Sequence, residues 1–261
     1  MKVYEIEKIL LDFAPAYLAE PWDNVGLLAG FAQDDVSGIM LCVDATKAVV
    51  DEAVENNCNL IISHHPIIIR DAKKFNDECG MYSPEMVAYA LRRGVNVISL
   101  HTNLDRCEGG INDSLAKLFG GQEIQPAFEG DIGRRFLVEK QSLNSFAKKV
   151  SVLINDDNVK YIGNREDEVE QCYVIGGSGA DERMLQMVAK EDLTFITGEV
   201  KHHIAINAVA LQCKIIDVGH FTSERIFVNI IYDLLKKDEY GIMIPVLKSF
   251  AEGNPFKKIE E

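Results

Sequence analysis

The chain has no apolar run of about 18 or more residues, so nothing in it reads as a membrane span. Its opening residues, MKVYEIEKILLDF, break their apolar positions with charges and lack the continuous apolar stretch of a secretory signal. The expected location is therefore the cytoplasm. Six cysteines, at 42, 58, 79, 107, 172 and 213, include no CxxC or other close pair. That argues against a paired-thiolate metal site and against a disulfide framework. Cys42 and Cys172 lie within strand-like runs and read as core thiols. Basic residues are few: 27 Lys and Arg against 41 Asp and Glu leave a net charge of −14. Such a surface disfavours nucleic acid as a partner, although bound cations can still draw an anionic small molecule to one place. Low-complexity segments and flexible linkers are also missing.

What remains is an ordinary globular composition, and 261 residues suffice for one large or two small domains. Residues 4–19 carry apolar positions at helical spacing and predict an amphipathic helix ending near Pro15. Strand-like runs then alternate with helical ones. The runs at 38–44 (GIMLCVD), 59–63 (NLIIS) and 95–100 (VNVISL) are separated by helical stretches at 46–57 and 84–93, with another at 111–119. A strand at 134–138 and a helix at 142–154 follow. The plan then repeats. Strands at 171–175, 193–197 and 213–218 alternate with helices at 181–190 and 200–211, and a long helix covers 222–237. The acidic stretch 155–170 is expected to be exposed, and 254–261 to be a polar tail.

Apolar strands without alternation suit sheets covered by helices on both faces. The fold class is thus α/β, with two linked α/β/α lobes, largely parallel or mixed sheets, and a suggestion of internal duplication. The expected division is 1–127, completed by the C-terminal helix at 222–261, and 128–221.

Only six histidines occur, and each lies at or just beyond the end of an expected strand. Ligands of parallel α/β sheets bind beyond the carboxyl ends of the strands, so these positions can converge. In Ser63-His64-His65-Pro66, adjacent side chains leave the chain in different directions and can address two ions. The plain alternative is a half-buried pair satisfied by backbone groups. His101 and Asp105 share a strand-to-helix loop, where Asp also serves as a cap or turn residue. His220 and Glu224 have the i, i+4 spacing of one helical face, where a Glu is also favoured by the helix dipole. Together these groups offer three imidazoles and two carboxylates, with His101, Glu199, His202 and His203 in reserve. Five ligands including a bridging carboxylate can serve two ions, and two ions about 3.5–4 Å apart acidify a shared water.

The ordered set Trp22-Asp23-Asn24-Val25-Gly26-Leu27, Ser63-His64-His65-Pro66, His101-Thr102-Asn103-Leu104-Asp105, Gly109-Gly110-Ile111-Asn112, Gly176-Gly177-Ser178-Gly179-Ala180, Thr197-Gly198-Glu199 and Gly219-His220 with Ser223-Glu224 is highly specific. Over nearly its whole length the chain resembles the dinuclear-metal-centre hexameric proteins, also called GTP cyclohydrolase 1 type 2 homologues. The resemblance implies metal ligation by His64, His65, Asp105, His220 and Glu224, two linked α/β lobes, and a ring-shaped homohexamer built from dimers. Some members carry an extra domain inserted between the lobes. With 261 residues, this chain looks like the short form.

The expected function is that of a hydrolase with two divalent ions (Zn, Fe, Mn or Co) acting on a nucleotide or related small molecule. Hydrolytic opening of the guanine imidazole ring of GTP follows from the resemblance alone. His101, Glu199 and His203 are the candidates for proton transfer or substrate positioning. The alternative is a metal-binding or metal-delivery protein without turnover. A Ser–His hydrolase ranks low, because Ser63, Ser178 and Ser223 lie in no G-x-S-x-G elbow. The glycine run at 176–179 is either a phosphate cradle or a tight strand–helix turn. Either Trp22-Asp23-Asn24 lines the pocket, or Asn24 and Gly26 simply make a turn.

Overall fold

The computed structural model of the chain describes residues 1–68 and 83–257, so Cys79 and residues 258–261 of the expected tail lie outside it. In chain order the elements begin with α1 (Val3–Phe13), a 3-10 turn (Ala16–Leu18), β1 (Gly26–Ala29), β2 (Ile39–Cys42), α2 (Lys47–Glu55) and β3 (Leu60–Ser63). Then come α3 (Pro84–Arg92), β4 (Asn96–Ser99), α4 (Thr102–Arg106), α5 (Ile111–Leu118), β5 (Gln122–Gln125), β6 (Arg134–Ser142) and α6 (Leu143–Ile154). Next are β7 (Lys160–Ile162), β8 (Glu168–Ile175), α7 (Glu182–Lys190), β9 (Thr194–Thr197), α8 (His202–Ala210) and β10 (Lys214–Asp217). The chain closes with α9 (His220–Glu224), α10 (Ile226–Leu235), a 3-10 turn (Asp238–Tyr240) and β11 (Val246–Lys248). No helix among the described residues is long and apolar enough to cross a membrane.

Two compact units result: Met1–Cys107 with Phe227–Glu261, and Glu108–Ile226. The first unit holds a five-stranded sheet in the order β1-β4-β3-β2-β11, in which only β1 runs antiparallel. Its central strands IMLC, LIIS and NVIS are buried at every position, which explains their lack of alternation. Met40, Ile61 and Val97 meet Val49, Val50 and Ala53 of α2 and Met86 and Ala90 of α3 in one core. Local chemistry starts these helices: the Thr46 hydroxyl accepts from the Val49 amide, and Pro84 opens α3.

The second unit holds six strands in the order β5-β6-β8-β9-β10-β7, with β8, β9 and β10 parallel and the rest antiparallel to their neighbours. Tyr173, Phe195 and Ile215 pack with Leu185 and Val188 of α7 and Ile204 and Ala208 of α8. Asp181 caps α7 by accepting from the Met184 amide at 2.7 Å. Each unit thus carries three consecutive parallel strands joined by helices, with an antiparallel strand beside the third. This is the repeat the sequence suggests.

The units meet in the chain at 107/108 and 226/227, whereas the sequence division lies at 127/128 and 221/222. Residues 108–127 side with the second unit because Asn112 of α5 accepts from the Gly176 amide and β5 pairs with β6. Residues 222–226 do so because Thr222 and Ser223 are bonded to Asp156 and Gly177. The expected long helix at 222–237 is two helices that meet at Arg225, whose guanidinium is drawn to the Ile154 carbonyl. The acidic stretch 155–170 contains a strand, β7, which pairs with β10.

Candidate metal centre

In the first unit, three parallel strands deliver side chains at their carboxyl ends. Asp44 follows β2, His64 and His65 follow β3, and His101 follows β4. Sheet-like pairing continues past the strands, with the His64 and His65 amides bonded to the Cys42 and Val43 carbonyls. The Ser63 hydroxyl donates to the His65 carbonyl at 2.8 Å, which ties the turn that separates the two rings. The rings of His64, His65 and His101 stand 5.0–5.5 Å apart between centroids, and each offers a ligand atom within 4.8 Å of the others'. Asp105, one turn along α4, brings a carboxylate oxygen 3.9 Å from His64 Nε2.

Each of these imidazoles engages its Nδ1. His64 Nδ1 lies 2.9 Å from the Leu100 carbonyl, which can only accept, so Nδ1 carries a proton. His65 Nδ1 meets the Asp44 carboxylate at 2.8 Å, and His101 Nδ1 meets Asp23 at 2.8 Å. Asp23 also accepts from the Thr102 amide at 3.0 Å and from the Thr102 hydroxyl. Burial pushes the Asp23 carboxyl up, but the hydrogen bond and charge of His101, with the Thr102 contacts, outweigh it and hold it at about 2. Asp23 is thus a fixed anion beneath His101.

In the second unit, His220 and Glu224 stand at the two ends of α9, with His220 Nε2 3.1 Å from the Glu224 carboxylate. His220 Nδ1 meets Glu199, just beyond β9, at 3.2 Å. Two glycines let α9 settle onto the strand ends. A Cβ on Gly177 would stand 2.0 Å from a Glu224 carboxylate oxygen, and one on Gly198 would stand 2.8 Å from His220 Cα. The glycine run is a structural turn. The amides of Gly176, Gly177 and Gly179 are already taken by Asn112, Ser223 and Thr197, so they form no phosphate cradle.

These donors fit divalent metal. Imidazole Nε2 atoms with Nδ1 hydrogen-bonded to carboxylates or a carbonyl are the arrangement that metal-ligating histidines adopt. Mixed imidazole and carboxylate ligation suits Zn, Fe, Mn and Co. His64 has a side chain at 0% exposure and Glu224 one at 5%; polar groups this buried are costly unless paired or coordinated.

The sequence pattern of the Duf34/NIF3 (NGG1p interacting factor 3) family matches residues 1–255. The chain belongs to the Duf34/NIF3 family. A Clostridium acetobutylicum relative, named a GTP cyclohydrolase 1 type 2 homolog, is 31% identical, with 98% of each chain covered. A Helicobacter pylori relative, named GTP cyclohydrolase 1 type 2, is 30% identical over 95% of this chain and 97% of its own. A solved Staphylococcus aureus protein superposes with a TM-score of 0.87 at 26% identity, covering 99% of both chains.

In this Duf34/NIF3 chain, the structure gathers His64, His65 and Asp105 in one unit and His220 with Glu224 in the other. His101 belongs with His64 and His65, closer to them than a supporting role requires, and Glu199 belongs with His220. His203 is not brought to this group: it is exposed on α8 and its ion-pair partner is Glu182, 3.6 Å away. His202 is exposed as well. Sequence reasoning missed Asp44 and gave Asp23 no role beyond a turn or pocket lining. The one available signal was that each is a carboxylate beside a motif residue: Asp44 ends an apolar strand run, and Asp23 follows the only tryptophan.

Proposed function

We propose that this chain is a metal-dependent hydrolase that holds two divalent ions through His64, His65, Asp105, His220 and Glu224 and acts on a nucleotide or related small molecule. One observation carries the reading. His64, His65 and His101 each hold Nδ1 against an oxygen acceptor, the arrangement that metal-ligating histidines adopt, while His220 stands between the Glu199 and Glu224 carboxylates. Packing alone does not require three neighbouring imidazoles each fixed through Nδ1.

When bound, the two ions would supply Lewis acidity, lowering the pKa of water and taking up negative charge that develops on the substrate. Asp105 and Glu224 offset part of the dications' charge. Asp44, Asp23 and Glu199 orient His65, His101 and His220. His101, backed by the Asp23 anion, accepts or returns a proton, and Glu199 does so beside His220. No role is assigned to His203. The names of the two curated relatives support GTP, with hydrolytic opening of its guanine imidazole ring, as the first substrate to try. A homohexamer completes the proposal and rests on the family resemblance.

A second reading, metal delivery without turnover, draws on the fact that Asp23, Asp44 and Glu199 are all engaged in holding imidazoles. Metal-loaded protein should be screened against GTP, other nucleotides and generic phosphoesters, alongside His64→Ala and Glu224→Ala. The hydrolase reading expects turnover in the parent protein. In either folded variant it expects losses beyond the roughly 10–100-fold that outer-sphere changes cost. Protein that is inert on the whole panel yet passes its ion to an acceptor overturns it in favour of delivery.

A further inference from the structure

Trp22 is the only tryptophan in the chain, and it is 59% exposed. A side chain that can bury roughly 150–250 Å² of surface is here held in water. It is not a loose surface residue. Trp22 sits at the tip of a tight turn led by Pro21 and closed by the Asp23 amide bonding the Glu20 carbonyl at 2.9 Å. Both flanks of the turn are tied to the segment that carries His101 and Asp105. The Glu20 amide donates to the Thr102 hydroxyl at 2.9 Å, and Asp23 accepts from His101 and Thr102. Arg106 grips the Leu18 carbonyl and the Glu20 carboxylate. Beyond the turn, the Asn24 amide group donates to the Ile68 carbonyl at 3.0 Å.

The indole meets the His101 ring edge-on, with centroids 5.9 Å apart and planes at 76°. This contact uses only part of the indole and leaves a rigid π surface open beside the His64–His65–His101 cluster.

We infer that Trp22 is the stacking platform of the ligand site, taking a planar heteroaromatic ring such as a nucleobase whose reacting or phosphate-bearing part lies towards the histidines. This rests on the reading of the site as one for a nucleotide-like molecule, and it supplies what that reading lacks, a group that recognises the ring. Charge favours the assignment. A net charge of −14 disfavours a polyphosphate away from bound cations. Stacking is independent of charge and tolerant of base identity, so it can hold the ring where the protein's field opposes the rest of the ligand. An exposed indole is also what an interface between copies of this chain would use, and the experiment separates the two.

Because Trp22 is the sole tryptophan, its fluorescence reports this one place. Metal-loaded full-length protein is titrated with guanosine, GTP and base-free tripolyphosphate. Guanosine and GTP should quench the indole saturably, while tripolyphosphate should leave it unchanged. By calorimetry, Trp22→Ala should bind GTP about tenfold or more weakly, with Trp22→Phe close to the parent, and all three should hold the same amount of metal. The inference is overturned if no base-bearing compound binds, or if Trp22→Ala binds GTP like the parent. It is also overturned if the substitution alters only the state of assembly. Turnover of GTP that Trp22→Ala leaves intact would sink the platform and spare the hydrolase. Base binding through Trp22 without any turnover would do the reverse.

Discussion

At the scale of single residues, the candidate centre depends as much on what is absent from a side chain as on what is present. Gly177 has φ +61, and a Cβ there would fall 2.0 Å from a Glu224 oxygen. Glycine therefore serves twice, for the backbone turn and for the approach of the carboxylate. Gly177→Ala should lower stability by about 1–3 kcal/mol and reduce the metal retained after dialysis. Gly94→Ala is the control. Gly94 has φ +70 but open space around it, so it should lose only about 1 kcal/mol and keep its metal. Equal metal content in Gly177→Ala and the parent protein would contradict the close packing of Glu224.

Histidines at strand ends, and the i, i+4 pair of His220 and Glu224, are legible because short-range spacing places them. Asp44 and Asp23 are not legible in that way. Their partners His65 and His101 lie 21 and 78 residues away, and only strand order and the folded turn bring them together.

At the scale of elements, the chain's return to the first unit ends in a strap against the carboxyl end of β2. After β11, Glu52 gathers the Ser249 hydroxyl and the Phe250 and Ala251 amides. Glu252 then accepts from the Val43 and Asp44 amides at 2.7 and 3.1 Å, next to the carboxylate that orients His65. Burial pushes the Glu252 carboxyl up to about 7; the two amides oppose this, and the charges of Asp44 and Glu52 add to it. The folded chain therefore keeps a proton that the unfolded chain releases near its ordinary value of 4.5. The stabilisation from that proton is whole below that value and is lost as pH rises to about 7. Glu252→Gln is neutral at every pH and retains an acceptor for both amides. Its stability relative to the parent should rise by about 1 kcal/mol between pH 5 and pH 8, a shift of roughly 2–4 °C in Tm. A difference that stays flat with pH would contradict a half-buried Glu252 that loses its proton only near pH 7.

The buried strands β2, β3, β4, β8, β9 and β10 were readable as apolar runs, with helices between them at the expected places. The strands β1, β5, β7 and β11 were not. Each is three or four residues long, β5 and β7 are largely exposed, and their pairing rather than their composition makes them strands.

At the scale of the whole molecule, the proposal requires ligands from both units, which the chain joins at 107/108 and 226/227. The first unit offers His64, His65 and Asp105 with His101 among them, and the second offers only His220 and Glu224 with Glu199 behind. Alternation of strands and helices made the two α/β lobes legible. Their boundary was not, since α5 and α9 are assigned by side chains that bond to distant loops. The most direct test is metal content per chain after dialysis, for the parent protein, His65→Ala and Glu224→Ala. Two divalent ions are expected in the parent and a loss from either variant, although each removes a ligand from a different unit. Full occupancy of the parent with Glu224→Ala unchanged would contradict it.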